Sequence, residues 1–379
     1  MILAIDVGGT KMAAGLVGRD GTVTRSRRVA TPQGADAETL WRTLMDLVEP
    51  LAQGAEGVGV GCGGPMTWPE GEVSPLNIPG WRDFPLRARL AALFPGLPVR
   101  LHNDAICLAV AEHWKGAGQG SDDMLGMVVS TGVGGGLILN GRLVNGRTGN
   151  AGHIGHVVVE PEGGPRCGCG GHGCLEAVAR GPALAAWALD QGWVPSGGTA
   201  PTHAPGGGTA PTHAPGGVTA APHAPGGGET VHRPGTVSGP TRADEAVGAV
   251  TGAVTGDATY REDRGVTARG LAADALAGDP VAVRAMRRAG RALGVAIASA
   301  THLCDLDLVT VGGGLSQAGE PLFGPLEEAL REHARMGFAR RVKVMPAALG
   351  QEAGLVGAAA LLLAGDRYWD DCRDDAPRT

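Results

Sequence analysis

The stretch GNAGHIGHVVVEPEGGPRCGCGGHGCLEAVARG, residues 149–181, contains a dense cluster of potential metal ligands. Its compact part, CGCGGHGC, places Cys167, Cys169 and Cys174 within eight residues, and His156 precedes them closely. Three thiolates and one imidazole form a complete tetrahedral set for zinc, and a closed set is structural because no position is left for water. The intervening glycines allow the sharp backbone bends that let the sulfurs converge. This segment therefore predicts a zinc knuckle.

The alternative interpretation of this segment is a disulfide pair with one spare thiol. It is disfavoured because the chain has seven cysteines, an odd number, and its first residues carry no signal peptide. A zinc ion that fixes His156 would also fix the neighbouring His153 and Glu176. We expect the metal to act as a scaffold that holds polar side chains at the edge of a binding cleft.

The length and composition are typical of a cytoplasmic enzyme with two lobes. The 379 residues exceed one compact core, 43% of them are hydrophobic, and the mean hydropathy is +0.02. The start, MILAIDVGGT, enters a strand at once and lacks the basic and apolar segments of a signal peptide. The apolar run 355–364 is too short for a membrane span and predicts a buried helix. The net charge of −6 gives no basic surface for nucleic acid or anionic lipid.

Two glycine-rich turns between strands predict phosphate binding. A strand at 2–6 leads into the turn Gly8-Gly9-Thr10-Lys11 and a second strand at 12–17. Such a turn presents backbone N–H groups and a hydroxyl to an anion, although an ordinary hairpin has the same pattern. The arrangement recurs as TGVGGG at 131–136, between apolar strands. Two such turns in one chain favour the phosphate interpretation.

Two further glycine clusters lie in other sequence contexts. Gly312, Gly313 and Gly314 follow a predicted strand and precede a helix expected at 321–333. The segment 59–64 satisfies G-x-G-x-x-G, but prolines follow where a dinucleotide-binding fold needs a helix, so this match is weak. The pattern G-x-x-x-x-G-K-[ST] does not occur in the sequence, which excludes a P-loop enzyme.

Residues 195–240 differ in composition from the rest of the chain. GGTAPTHAPG stands at 197–206 and again at 207–216, and GVTAAPHAPG follows at 217–226. A ten-residue repeat of Pro, Gly, Ala and Thr buries too little apolar surface to fold, so we predict a disordered insert. Its three histidines in register could bind a metal, but replicated low-complexity DNA explains them better. Residues 367–379 are predicted to be an acidic tail.

Four motifs together resemble the ROK family of sugar kinases, and they are DVGGTK at 6–11, HND at 102–104, STGVGGG at 130–136 and the AGHIGH…CGCGGHGCLE block at 151–176. The resemblance spans about 1–190 and 266–366. The family also contains transcriptional repressors, in which a winged helix-turn-helix precedes the first glycine turn. That turn begins here at Asp6, so a kinase is expected.

The resemblance implies an α/β, two-lobed actin/hexokinase-like (ribonuclease H-like) fold with the zinc knuckle in the larger lobe. The implied parts are a small lobe at 1–108, a large lobe at 109–350 with the zinc motif at 153–176, and a terminal helix at 351–366 that packs back on the small lobe. The active cleft would lie between the lobes. Closure on the sugar would exclude water and suppress ATP hydrolysis.

Phosphoryl transfer to a sugar hydroxyl needs a proton acceptor, a magnesium ion on the phosphates and N–H donors at the developing charge. Asp104 is expected to be the base, although its position before a helix at 105–115 also fits a simple N-cap. A helix N-terminus disfavours protonation of a carboxylate, which suits orientation better than high basicity. The remaining sugar-site residues implied are Gly64, Asn103, His153, His156 (shared with zinc) and Glu176.

The expected nucleotide site uses the glycine turns. Asp6 would hold Mg²⁺, usually through water, although an Asp here is also typical of turn capping. The residues expected at the ATP are Asp6, Gly8, Gly9, Thr10, Lys11, Thr131 and Gly132 at the phosphates, with Gly313 and Gly314 at the adenosine. The cofactors would be structural Zn²⁺ and Mg²⁺ with ATP. We expect a homodimer or homotetramer that binds sugar and ATP, but neither nucleic acid nor a membrane.

His153 bears on the choice of sugar. Most glucokinases of the family have a glutamate at this position, whereas AGHIGH is similar to bacterial N-acetylmannosamine kinases. A neutral imidazole presents either a donor or an acceptor and tolerates an N-acetyl group better than a carboxylate does. The expected reaction is phosphorylation of the 6-hydroxyl of a hexose or N-acetylhexosamine, with N-acetylmannosamine favoured over glucose. The alternatives are a sugar-sensing regulator without catalysis and a kinase that uses polyphosphate.

Overall fold

A computed structural model of the protein describes residues 1–196 and 266–369. The predicted insert, apart from its first two residues, and the tail beyond residue 369 therefore lie outside the described residues. The strands are β1 (Ile2–Val7), β2 (Lys11–Val17), β3 (Val23–Ala30), β4 (Val58–Cys62), β5 (Val99–Asn103), β6 (Met124–Val129), β7 (Val133–Leu139), β8 (Arg142–Leu143), β9 (Leu308–Gly312) and β10 (Lys343–Pro346).

Four of the nine α-helices in the described residues begin at a residue whose side chain caps the first turn. Asp36 accepts a hydrogen bond from the Thr39 N–H (2.7 Å) at the first helix, and Asp279 accepts from the Val281 N–H (2.9 Å) at the longest. The α-helices are α1 (Ala37–Val48), α2 (Leu86–Leu93), α3 (Asp104–Lys115), α4 (Leu175–Ala179), α5 (Gly181–Asp190), α6 (Ala268–Leu276), α7 (Pro280–Cys304), α8 (Glu320–His333) and α9 (Ala353–Leu363). Within the described residues, no helix is long and apolar enough to span a membrane.

The strands form two five-stranded mixed sheets with the same internal order. One sheet runs β3-β2-β1-β4-β5, and the other, taken from its β8 edge, runs β8-β7-β6-β9-β10. In each sheet a three-stranded antiparallel meander is extended by two parallel strands. The β1–β2 and β6–β7 turns, the two predicted phosphate turns, are therefore equivalent positions of two topologically similar halves.

Helices α3 and α9 pack against each other and connect the two sheets. α3 follows β5 of the first sheet and packs on β6 and β7 of the second, whereas α9 packs on β1 and β4 of the first. Glycines make these contacts close: a methyl group at Gly59 would lie 2.0 Å from the carbonyl oxygen of Ala358, and one at Gly136 would lie 2.8 Å from Cβ of Ala109. The helices thus approach the sheets at backbone distance.

Two glycine segments lie largely within strands. The predicted turn at 131–136 is short, because residues from Val133 onward belong to β7. The glycines at 59 and 61 lie within β4 and do not form a dinucleotide-binding loop. In both places the missing side chain makes room for a helix.

The fold continues beyond the predicted start of the tail. Tyr368 and Trp369 are 0% and 1% exposed, and the Trp369 ring packs edge-on against Trp68 at a centroid distance of 5.6 Å. The acidic residues downstream favoured a boundary at 367, but burial of two large aromatic side chains sets it after Trp369. The division into lobes at 108/109 stays a prediction.

Candidate active site

Side chains of residues that follow β3 donate hydrogen bonds to the carbonyl groups of the β1–β2 turn. The Thr31 hydroxyl donates to the Gly8 carbonyl (2.7 Å), and the Gln33 amide donates to the Gly9 carbonyl (2.8 Å). The Gly8 N–H closes the turn on the Lys11 carbonyl (3.0 Å), so it is not available to an anion as the sequence suggested. Within the described residues, the N–H groups of Gly9 and Thr10 donate to no protein group, which leaves two donors for a phosphate.

Asp6 lies at the end of β1 under the first turn of α9. A methyl group at Gly354 would lie 2.6 Å from Asp6 Oδ2, so this helix covers the carboxylate closely. Burial, and then the negative charge of Asp104, raise the pKa of Asp6 to about 7, while Lys11 and Arg28 oppose the rise. Burial and a neighbouring carboxylate thus both disfavour the negative charge of Asp6, which fits a site that a divalent cation would relieve.

Asn103 and Asp104 share the start of α3, with different roles. Asn103 is the N-cap, because its Oδ1 accepts from the Ala105 N–H (3.0 Å); Asp104 is the first helical residue. The N-cap of α3 is therefore Asn103 and not Asp104. Burial raises the pKa of Asp104 and outweighs the hydrogen bond from the Ala105 N–H. The carboxylate is therefore more basic than its helix position suggested.

His102 hydrogen-bonds to the backbone at the start of α3. The sequence motifs did not predict this role. Its Nδ1 accepts from the Asn103 N–H (2.9 Å), so Nε2 carries the proton and donates to Oδ1 of Asn145 (2.9 Å). Burial lowers the pKa of His102 to about 4. The neutral ring is held in one tautomer beside the candidate base.

The predicted sugar residues meet around Gly64. A methyl group at Gly64 would lie 2.9 Å from Nδ2 of Asn103 and 3.3 Å from Cε1 of His153. The His153 and His156 rings are nearly parallel, 6.1 Å apart. Burial, and then His156, lower the pKa of His153, so the ring is neutral. Its Nε2 is buried and makes no hydrogen bond within the described residues, so it remains an unused polar atom at the site.

Asn77 is a candidate residue that the sequence motifs did not reveal. A methyl group at Gly9 would lie 2.5 Å from its Nδ2, and one at Gly63 would lie 3.2 Å from its Oδ1. The same methyl group at Gly63 would lie 4.0 Å from Oδ2 of Asp104. Asn77 therefore lies between the predicted phosphate turn and the candidate base. Its segment PLNIPGW offered only one polar side chain, and no spacing tied it to residue 9.

The β6–β7 turn is joined to Glu176 and to the segment after β9. Oε2 of Glu176 accepts from the Val133 N–H (3.0 Å) and lies where a methyl group at Gly132 would approach within 2.9 Å. Gly313 has a φ of +91°, and a methyl group there would lie 2.4 Å from the Val129 carbonyl oxygen. These contacts bring Thr131, Gly132, Glu176, Gly313 and Gly314 to one end of the second sheet.

The four predicted zinc ligands lie together. Their ligand atoms are all within 4.8 Å of one another, with Sγ of Cys169 and Cys174 3.8 Å apart and Sγ of Cys167 3.6 Å from Nδ1 of His156. Tetrahedral zinc with ordinary bond lengths requires edges of about 3.8 Å between sulfurs and about 3.5 Å between sulfur and nitrogen. Burial and the neighbouring thiols raise the pKa of Cys174 to about 12, so a bound cation would be needed to favour its thiolate. The donor set fits zinc.

Comparisons with known proteins agree with this arrangement. A model described as "ROK family" matches residues 2–206 and 243–364. A glucokinase from Thermotoga maritima is 31% identical over 365 residues, which span 95% of this chain and 96% of that protein. An N-acetylmannosamine kinase from Shigella flexneri is 43% identical over 188 residues, 49% of this chain and 63% of that protein.

A solved structure extends the comparison to three dimensions. The ROK family glucokinase from Streptomyces griseus, in complex with glucose and AMPPNP, is 30% identical with a TM-score of 0.69 and covers 96% of this chain and 99% of that chain. The family model matches most of the sequence, and the solved glucokinase structure covers nearly the whole chain. The chain belongs to the ROK family.

Proposed function

We propose that the chain transfers the γ-phosphoryl group of ATP to the 6-hydroxyl of a hexose or N-acetylhexosamine, with Asp104 as the catalytic base. The chain is a sugar kinase, since its similarity to sugar kinases extends over nearly its whole length. The observation that carries the catalytic assignment is the place of Asp104. It stands between the sugar residues around Gly64 and the β1–β2 turn, and burial raises its pKa.

In the proposed reaction the Asp104 carboxylate accepts the proton of the sugar hydroxyl. The hydroxyl oxygen bonds to the γ-phosphorus while the bond from that phosphorus to the bridging oxygen breaks, and ADP leaves. The N–H groups of Gly9 and Thr10 would stabilise charge on the phosphates. When bound with ATP, Mg²⁺ neutralises phosphate charge, and Asp6 is the residue that would hold it. Asn103 and His153 would orient the sugar ring.

N-acetylmannosamine is proposed as the preferred acceptor over glucose. The support is the neutral His153, whose buried Nε2 lacks a partner within the described residues and can pair with a polar group of the substrate. The zinc ion is proposed as structural. Because Nδ1 of His156 lies 3.6 Å from Sγ of Cys167, zinc would be held through Nδ1, and Nε2 would remain for the sugar.

The test is a coupled ADP-release assay over glucose, N-acetylmannosamine, N-acetylglucosamine, fructose and allose. Asp104→Asn should lower kcat by about 10²- to 10⁴-fold because the amide cannot accept the proton. Asp46→Asn, at an exposed position of α1, removes the same charge away from the site and should keep wild-type activity. Turnover by Asp104→Asn at the wild-type rate would reject Asp104 as the base. Absence of ADP release with every sugar would reject the proposed reaction.

A further inference from the structure

A cavity lies at the β7–β8 hairpin, and none of its lining residues belongs to the proposed sugar, ATP or zinc sites. Its volume is about 510 Å³, and it is lined by residues of the β7–β8 hairpin and its continuation, together with residues that follow α9. The charged lining residues are Arg142, Arg147, Arg367 and Asp366. Three guanidinium groups against one carboxylate leave an excess of two positive charges at the cavity wall.

Two of these arginines are available to a ligand. Arg142 and Arg147 are exposed, and neither forms an ion pair or a side-chain hydrogen bond with any residue of 1–196 or 266–369. A guanidinium group presents its N–H donors in a fork that matches two oxygens of a phosphate. The excess charge equals that of a phosphate monoester, and the cavity volume is in the range of small-molecule sites.

Two hydrogen bonds in series connect the cavity wall to the backbone of Asn103, the residue before the candidate base. Asn145 lines the cavity, and its Oδ1 accepts from Nε2 of His102. His102 in turn accepts the N–H of Asn103, the residue next to Asp104. The Asn145 N–H₂ donates to no residue that the structure describes, so a group that binds it acts on a side chain two hydrogen bonds from the backbone of Asn103.

A second connection runs along the backbone. The carbonyl of Asn145 accepts from the Ala151 N–H (3.2 Å), which closes the loop that leads to His153. A ligand that orders Asn145 and Arg147 would order this loop before the sugar binds. Sugar binding to a loop that is already ordered loses less conformational entropy. Sugar affinity should therefore rise when the cavity is occupied.

We propose that this cavity is a regulatory site for a phosphate monoester of sugar size, which binds through Arg142 and Arg147 and lowers the KM for the sugar through Asn145. The proposed binding is separate from the choice of sugar substrate and from the role of Asp104. The coupling it adds is of the size typical for two sites in one domain, about fivefold in KM.

Binding is tested by calorimetry on the full chain with inorganic phosphate and with ribose 5-phosphate, neither of which is the product of a hexose kinase. Ionic strength is held constant with KCl. The double variant Arg142→Gln/Arg147→Gln should bind ribose 5-phosphate about tenfold or more weakly, because charged hydrogen bonds are lost. The control Arg335→Gln/Arg340→Gln removes two exposed arginines elsewhere and should bind as the wild type does. Equal affinity of all three proteins would overturn the site.

Kinetics test the regulation. Ribose 5-phosphate should lower the KM of the wild type and of the control for the sugar while kcat stays constant, and it should leave the KM of the arginine double variant unchanged. Binding without any change in KM would overturn the regulatory role. Asp370 and Asp371 follow Trp369 in the sequence. If ribose 5-phosphate binds only to a variant that ends at Trp369, the cavity of the full chain binds the chain's own carboxylates, and the proposal is wrong.

Discussion

At the residue scale, the side chain at position 153 is the proposed selector of the sugar. His153→Glu would place a fixed negative acceptor where a neutral imidazole lies beside Gly64. We expect kcat/KM to shift towards glucose relative to N-acetylmannosamine by about 1–3 kcal/mol in transition-state free energy. The measurement is kcat/KM for both sugars in both proteins. A wild type that already prefers glucose, or a variant with the original ranking, would show that His153 does not select the sugar.

A second residue-scale prediction concerns acid stability and His102. Its pKa of about 4 lies below the ordinary value of 6.5. Between these two pH values the unfolded chain binds a proton at His102 and the folded chain does not. The resulting stability is present above pH 6.5 and is lost as the pH falls towards 4, by about 3 kcal/mol over the whole window. A protonated Nδ1 would also face the Asn103 N–H.

The comparison of wild type with His102→Gln isolates this effect. Other groups, such as Asp6 with its raised pKa, contribute equally to both proteins and cancel in the difference. Urea unfolding between pH 7 and pH 4 should show a steeper loss of stability in the wild type. Parallel pH profiles would show that the proton uptake occurs at another group.

At the scale of elements, the knuckle formed by residues 156–174 would join the proposed zinc site to the proposed sugar site. Cys169→Ala/Cys174→Ala removes two of the four donors that lie within 4.8 Å of one another. Protein purified without added metal should contain one zinc per chain in the wild type and none in the variant, by elemental analysis. The variant should also bind sugar weakly, because the metal orients His156.

A conservative comparison separates the metal from general damage to the fold. Cys304→Ala changes a cysteine at the end of α7, outside the cluster, and should retain both zinc and sugar binding. Zinc retained in the double variant, or no zinc in the wild type, would contradict the assignment.

At the scale of the whole molecule, the small residues of β4 and α9 set the distance between a sheet and the helix that covers it. Gly59→Ala would put a methyl group 2.0 Å from the Ala358 carbonyl oxygen, so α9 must move away from the sheet. We expect a loss of about 1–3 kcal/mol in the free energy of unfolding, the usual cost of overpacking. Gly337→Ala meets no atom within 4 Å and is the matched control. Equal urea midpoints for the two variants would contradict this packing.

Much of the candidate site followed from the sequence by itself because its chemistry is local. The zinc ligands are separated by few residues, and glycine turns between apolar strands have a form that a phosphate requires. The family resemblance rested on the same short motifs, and the match over most of the chain confirms it. The helix starts after Asp36 and Asp279 are likewise set locally, since capping depends on neighbouring residues.

The tertiary structure decided what depends on contacts between distant residues. Asn77 meets Gly9, and Asn145 meets His102, through packing that no sequence spacing expresses. The basicity of Asp104 is set by burial, whereas the sequence showed only the local effect of a helix N-terminus. Gly59 of β4 makes room for Ala358 of α9, which is far away in the sequence, so only the assembled fold shows why a side chain is missing there.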